Sequence, residues 1–164
     1  MEKRKCVFAG SFDPPTTGHE KVVLNCLKIF DEVVVAVMIN PDKSPCFSEK
    51  ERVSLLKTLF SGEKRVKIRS FCGAAVDLLE EENTPFYVRG IRNTIDFEYE
   101  NANFFANKKL KSDIVTVYLP AEQPDLHISS SLVKNSIKFK KDYTEYIPGK
   151  IREELNKILE SKNV

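Results

Sequence analysis

Gly10-Ser11-Phe12-Asp13-Pro14-Pro15-Thr16-Thr17-Gly18-His19 follows an apolar run, Cys6 to Ala9, and leads into a helix-like stretch opening near Gly18. A strand that turns sharply into a helix leaves N–H groups unpaired at the helix start. With the positive end of the helix dipole they form an anion site. Gly10 lets a phosphate approach the backbone, Ser11 and the threonines offer hydroxyls, and His19 adds a donor in the first helical turn. The stretch reads as a nucleotide-phosphate site. A Pro/Thr-rich strand-to-helix turn carrying a partly exposed His19 accounts for the same residues, and short Gly motifs alone do not choose between the two.

Outward from this stretch the chain alternates. Val22, Val23, Cys26, Leu27 and Phe30 recur at helical spacing, and Val33–Ile39 is a β-branched run of the kind covered on both faces of a sheet. Asn40–Pro45 breaks into a loop, and Ser48-Glu49-Lys50-Glu51 is a capping box before the apolar stripe of Val53, Leu55, Leu56, Leu59 and Phe60. Val66–Ile68 predicts a short strand, residues 74–82 a helix, and Phe86–Val88 a strand ending in the turn Arg89-Gly90-Ile91-Arg92. A long helix over Thr94–Lys109, a strand over Ile114–Leu119 and a helix opening in Ser129-Ser130-Ser131 follow. Ile147, Ile151, Leu155, Ile158 and Leu159 mark a final amphipathic helix.

Strand and helix thus alternate five times, predicting an α/β chain: a Rossmann-like, open five-stranded parallel sheet with helices on both faces, one domain over residues 1–164. Ligands of such sheets bind at the carboxyl ends of the strands. The Gly10 loop, the Lys43 loop, the Arg89–Arg92 turn and the Ser129–Ser131 loop all follow predicted strands, so they are expected on one rim.

Composition narrows the function. The 164 residues are 41% hydrophobic and 30% charged, with a net charge of +2 that gives no global field for nucleic acid or membrane. The clusters Lys108–Lys111 and Lys138–Lys141 read as solvated helix ends. No apolar run approaches the ~20 residues needed to span a bilayer. Met1-Glu2-Lys3-Arg4-Lys5 leads straight into a strand without a signal-peptide core, so the cytoplasm is the expected setting. Cys6, Cys26, Cys46 and Cys72 have neither zinc nor redox spacing; the first two are expected to be buried, and no protein metal site is expected.

The chemistry sits in the loops. The chain has two histidines, His19 and His127, each in a candidate phosphate loop. Three serines at a helix start supply side-chain and N–H donors to one anion; equally, one caps the helix while the others are solvated. Arg89 and Arg92 offer two-point grips on phosphate, and Lys43 a mobile point charge. Neither a P-loop nor a G-x-G-x-x-G motif is present, which excludes those nucleotide binders.

Gly10–His19 (G-S-F-D-P-x-T-x-G-H), Arg89–Arg92 (R-G-I-R) and Ile128–Lys134 (I-S-S-S-x-V-K), in this order, resemble the nucleotidylyltransferase superfamily. Phe47–Arg52 (F-S-E-K-E-R) and Asp96–Glu100 (D-F-E-Y-E) extend the likeness end to end, most closely to the bacterial phosphopantetheine adenylyltransferases. The resemblance implies transfer of AMP from ATP to 4′-phosphopantetheine, giving dephospho-coenzyme A and pyrophosphate. It implies magnesium (Mg2+) on the triphosphate, coenzyme A and dephospho-coenzyme A as product-side ligands, and a homohexamer. By motif position, His19 is implied to stabilise the transferring phosphate. Ser11, Phe12, Gly90, Ile91, Arg92 and Glu100 are implied ATP contacts, as are Asp125, Leu126, His127, Ile128, Ser129, Ser130 and Ser131. Ser11, Lys43, Ala75 and Arg89 are implied contacts of the acceptor. Ser11, Pro15, Gly73–Ala75 and Asp125 depart from the usual family residues, which leaves the ATP side more clearly marked than the pantetheine side. The chemistry agrees: an acceptor that is already an anion needs alignment and charge stabilisation and no strong base. A nicotinamide or nicotinate mononucleotide adenylyltransferase or another small-molecule nucleotidylyltransferase, and a non-catalytic nucleotide-binding module, are the competing readings.

Overall fold

The computed structural model describes residues 3–163; Met1, Glu2 and Val164 lie outside the described residues. Five strands, β1 (Lys5–Gly10), β2 (Glu32–Met38), β3 (Val66–Phe71), β4 (Phe86–Ile91) and β5 (Val115–Pro120), alternate with six helices. The helices are α1 (Thr17–Ile29), α2 (Glu49–Leu59), α3 (Ala75–Glu81), α4 (Thr94–Leu110), α5 (Ser130–Lys138) and α6 (Arg152–Ser161). The sheet is parallel throughout, in the order β3-β2-β1-β4-β5.

Alternation along the strands divides the core. Cys6 and Phe8 of β1, with Val33, Val35 and Val37 of β2, face a layer built by α1, α2, α5 and α6. Val7 and Ala9, with Val34 and Ala36, face Leu78 and Leu79 of α3 and Ile114. The β2 run is buried on both faces, as its unbroken β-branched composition requires. Cys6 and Cys26 are buried thiols, whereas Cys46 and Cys72 are exposed.

Three boundaries differ from the sequence expectation. Strand β3 runs to Phe71, because Lys67, Arg69 and Ser70 extend an edge strand whose polar positions interrupt the apolar signal. Strand β4 continues through Ile91, so Arg89 and Gly90 are strand residues paired with Tyr118 and Leu119. The last helix begins only at Arg152; Ile147 precedes Pro148 and Ile151 closes a 3-10 turn, although both isoleucines are fully buried.

The seam between β1 and β4 positions the site. Neighbouring pairs β1–β2, β2–β3 and β4–β5 keep register along their whole length, but β1 and β4 pair only at Val7↔Tyr87 and Phe8↔Val88. Beyond these residues the strands part, at the point where the chain order of the sheet reverses. Such a switch point leaves a crevice outside the strand ends. Arg89 closes the base of the gap by donating from Nη1 to the Ala9 carbonyl at 2.5 Å, in place of a main-chain partner.

Candidate active site

The crevice is a cavity of about 310 Å³ lined by β1, the following loop, α1, β4, α4 and the start of α5. Ser11, Phe12, His19, Arg89, Gly90, Ile91, Arg92, Glu100, Asp125, Ile128, Ser129, Ser130 and Ser131 all line it. Leu126 and His127 are exposed and point elsewhere, the His127 ring packing on Tyr146 with centroids 5.6 Å apart. Lys43 stands exposed in the loop after β2, and Ala75, at the start of α3, packs toward the opposite core; neither lines the cavity.

Two helices open into this space. Thr16 caps α1 and Ser129 caps α5, each accepting from an N–H three residues on. The N–H groups ahead of those bonds have no intrahelical acceptor, so both positive helix ends meet the cavity. The three serines divide their work. Ser129 Oγ accepts from Leu132 N–H at 3.1 Å, Ser130 Oγ donates to the Pro14 carbonyl at 2.8 Å, and Ser131 is exposed. Ser130 spends its hydroxyl proton on holding the loop, whereas the Ser129 and Ser131 hydroxyls keep theirs and can donate to an anion beside the main-chain N–H groups.

The loop after β1 is held from within. Phe12 adopts φ 47°, a left-handed conformation uncommon for a bulky residue, and its ring is buried against Phe8 and His19 at 5.4 and 4.9 Å. Any contact of Phe12 with a ligand is therefore made by its main chain. A Cβ on Gly10 would lie 3.3 Å from this ring, so the glycine makes room for Phe12 as well as for an approaching ligand. Arg52 of α2, buried, donates to the Ser11 carbonyl at 2.8 Å. Asp13, also buried, accepts from Phe47 N–H at 2.8 Å, Cys46 N–H at 3.0 Å and the Lys134 ammonium at 3.1 Å.

His19 has a defined tautomer. Its Nδ1 accepts from Thr16 N–H at 3.1 Å, so in the neutral ring the proton is on Nε2, which is left as a donor. Burial, with the positive charges of Arg92 and then Arg89, lowers its pKa from 6.5 to about 4. Burial and the two arginines thus keep the ring neutral at physiological pH. The imidazole resonances of His19 are therefore expected to stay those of the Nε2–H tautomer from pH 8 down to about pH 5 in an NMR titration. A midpoint near 6.5 would contradict this. Because the folded pKa is depressed, the unfolded chain takes up the proton first. The His19 contribution to stability is then complete above about pH 6.5 and declines as the pH falls toward 4.

Four cations around the cavity already have an acid partner. Arg89 Nη2 meets Glu100 at 2.5 Å, and Arg92 grips both oxygens of Asp96 at 2.9 and 3.1 Å, holding that carboxyl below its ordinary pKa. Lys21 pairs with Asp125, and Lys134 with Asp13. Sequence reasoning did not single out Lys21, Arg52, Asp96 or Lys134 as site residues. Asp96 was legible as the i+4 partner of Arg92; the buried Arg52 left no sequence signal.

A switch-point crevice with two helix N-termini, a neutral histidine donor and paired arginines on an α/β sheet suits a phosphorylated nucleotide. The cytidylyltransferase-like family model matches residues 7–136. A phosphopantetheine adenylyltransferase from Clostridium beijerinckii is 41% identical over 148 residues, covering 90% of this chain and 93% of that protein. One from Nautilia profundicola is 38% identical over 92% of this chain and 98% of its own. The chain belongs to the cytidylyltransferase-like family and, within it, to the phosphopantetheine adenylyltransferases. A solved structure from Vibrio parahaemolyticus, described as a nicotinate-nucleotide adenylyltransferase, shares the fold with a TM-score of 0.70. At 23% identity over 94% of this chain and 99% of that one, it speaks to the fold alone.

Proposed function

We propose that the crevice holds the ATP phosphates between the starts of α1 and α5 while the phosphate of 4′-phosphopantetheine attacks the α-phosphorus. A new P–O bond forms to the acceptor, the bond to the β-phosphate oxygen breaks, and pyrophosphate leaves with dephospho-coenzyme A as the other product. The observation that carries this is the His19 Nε2 donor, fixed by Thr16 beside two free helix N-termini. His19 donates to an α-phosphate oxygen as charge builds there, a task for which a ring neutral at physiological pH suffices. Arg92 leaves or shares Asp96 to meet the phosphates, and Glu100 keeps Arg89 oriented at the base of the crevice.

Among the described residues no group of three or more His, Cys, Asp or Glu is arranged to hold a metal ion. Magnesium is proposed to arrive on phosphate oxygens and water, a mode this hard cation favours. When bound, the ion neutralises triphosphate charge; the chain's own donors supply the rest. The acceptor side is the open one: Lys43, exposed in its loop, reaches a bound acceptor only if that loop folds toward the crevice. Self-association into a homohexamer is proposed on the strength of α4, which leaves Ile95, Tyr99, Phe105 and Leu110 60–75% exposed. Among the described residues no helix is long and apolar enough to cross a membrane; a cytoplasmic biosynthetic role is proposed.

Pyrophosphate release from ATP and magnesium tests the reaction. Release is expected with 4′-phosphopantetheine and not with nicotinate or nicotinamide mononucleotide. Release with a mononucleotide alone would move the chain to the other substrate class, and nucleotide binding without turnover would reduce it to a binding module.

A further inference from the structure

Adenylyl transfer as laid out above gives Lys21 no role, and it leaves a carboxylate in a cavity built for a polyanion. The Asp125 side chain is only 10% exposed and lines the crevice, while the Lys21 ammonium that pairs with it comes from α1, two residues beyond His19. The same ammonium lies 3.5 Å from Glu122. Asp125 closes the short 3-10 turn Gln123–Asp125, which connects β5 to the serine loop.

The anchoring of this turn is sparse. Its internal bonds run from Asp125 N–H to the Glu122 carbonyl and from Ile128 N–H to the Asp125 carbonyl. At its two ends Ala121 N–H donates to Ile91, and Arg92 reaches the Ile128 carbonyl at 3.5 Å. Among the described residues, the hydrogen bonds and ion pairs from 122–127 to parts of the chain beyond the adjoining Ile128 all pass through Lys21. The His127 ring also packs on Tyr146.

We propose that Lys21 is a positioning residue for the nucleotide: it latches the turn Gln123–Asp125 to the helix bearing His19 and neutralises the Asp125 carboxylate that would otherwise oppose the triphosphate. The two effects are separable. The latch needs both charges, whereas the neutralisation is needed only while Asp125 is an acid. A desolvated carboxylate beside a bound polyanion is felt far more than one at the surface, because little water screens it. The inference rests on the adenylyl-transfer reading for the identity of the anion, and on geometry alone for the latch.

The test compares Lys21→Met with the double variant Lys21→Met/Asp125→Asn. Both replace polar atoms by chains of similar size, and Lys21 is half exposed, so the fold is not at stake. Calorimetry with ATP and magnesium is expected to show Lys21→Met binding about 10–100-fold more weakly, the range for loss of one charged hydrogen-bond partner. Turnover at saturating ATP is expected to stay within about twofold, since no group at the reacting phosphate changes. Adding Asp125→Asn is expected to bring ATP affinity back to within about threefold, because the opposing charge is gone. Hydrogen exchange across 122–127 in the ligand-free protein is expected to be faster in both variants. A double variant as weak as Lys21→Met would overturn the neutralisation and leave affinity resting on the latch, while unchanged affinity or unchanged exchange in Lys21→Met would overturn the proposal. Failure of the unaltered protein to turn over 4′-phosphopantetheine would count against the reaction, while binding and exchange would still decide the latch.

Discussion

His19→Ala is expected to lower kcat by about 10²–10³-fold, with KM for ATP moving by less than about fivefold. The asymmetry follows from what His19 does. In the proposed reaction its Nε2–H meets an oxygen whose charge grows only as the α-phosphorus is attacked, whereas the ground-state triphosphate would be held by the helix N-termini and Arg92. Alanine also removes the acceptor for Thr16 N–H and the ring that packs on Phe12, a cost expected to be about 1–2 kcal/mol of stability. Steady-state kinetics beside a denaturation curve separates the two losses. A kcat within threefold of the parent protein would remove His19 from the chemistry.

The second large effect is expected at Asp13. Its carboxylate is buried and gathers three donors from two distant segments: Cys46 and Phe47 N–H from the chain ahead of α2, and Lys134 from α5. Asp13→Ala strands two amides and an ammonium. It is expected to lower the unfolding free energy by about 3 kcal/mol, read from a shifted denaturant midpoint at constant m-value. The loop bearing Lys43 runs into Cys46 and Phe47, so KM for the acceptor is expected to rise more than KM for ATP. Lys134→Met removes one donor and spares the two amide bonds; it is expected to reproduce only a minor part of the loss. A small effect of Asp13→Ala on stability would show that water readily replaces the carboxylate.

These residues show what a one-dimensional reading reaches. The parallel sheet was legible because Val33–Val37 is buried on both faces and announces it with an unbroken apolar run. The α2 start was legible because its capping box is local: Ser48 and Glu51 bond each other's backbones within one turn. The starts of α1 and α5 were legible for the same reason. Arg52 and Lys134 were not, since their partners Ser11 and Asp13 are brought to them by tertiary folding across 41 and 121 residues. Phe12 read as a ligand contact by motif position, but only the strained backbone at this residue shows that its ring belongs to the core. Ile147 read as helical because its spacing fits, and Pro148 with the 3-10 turn after it places that buried side chain outside the helix.

The parting of β1 from β4 and the pre-formed acid partner of Arg92 have a shared consequence for how a catalytic cycle ends. A bare cation would bind a triphosphate tightly and pyrophosphate almost as tightly, so the leaving group would linger as an inhibitor. In the proposed reaction Asp96 waits beside Arg92 and competes for it. Entry of the nucleotide exchanges one anion for another, and departure of pyrophosphate restores the first. Asp96 thus acts as a tethered rival of the product, keeping the floor of the crevice from becoming a trap.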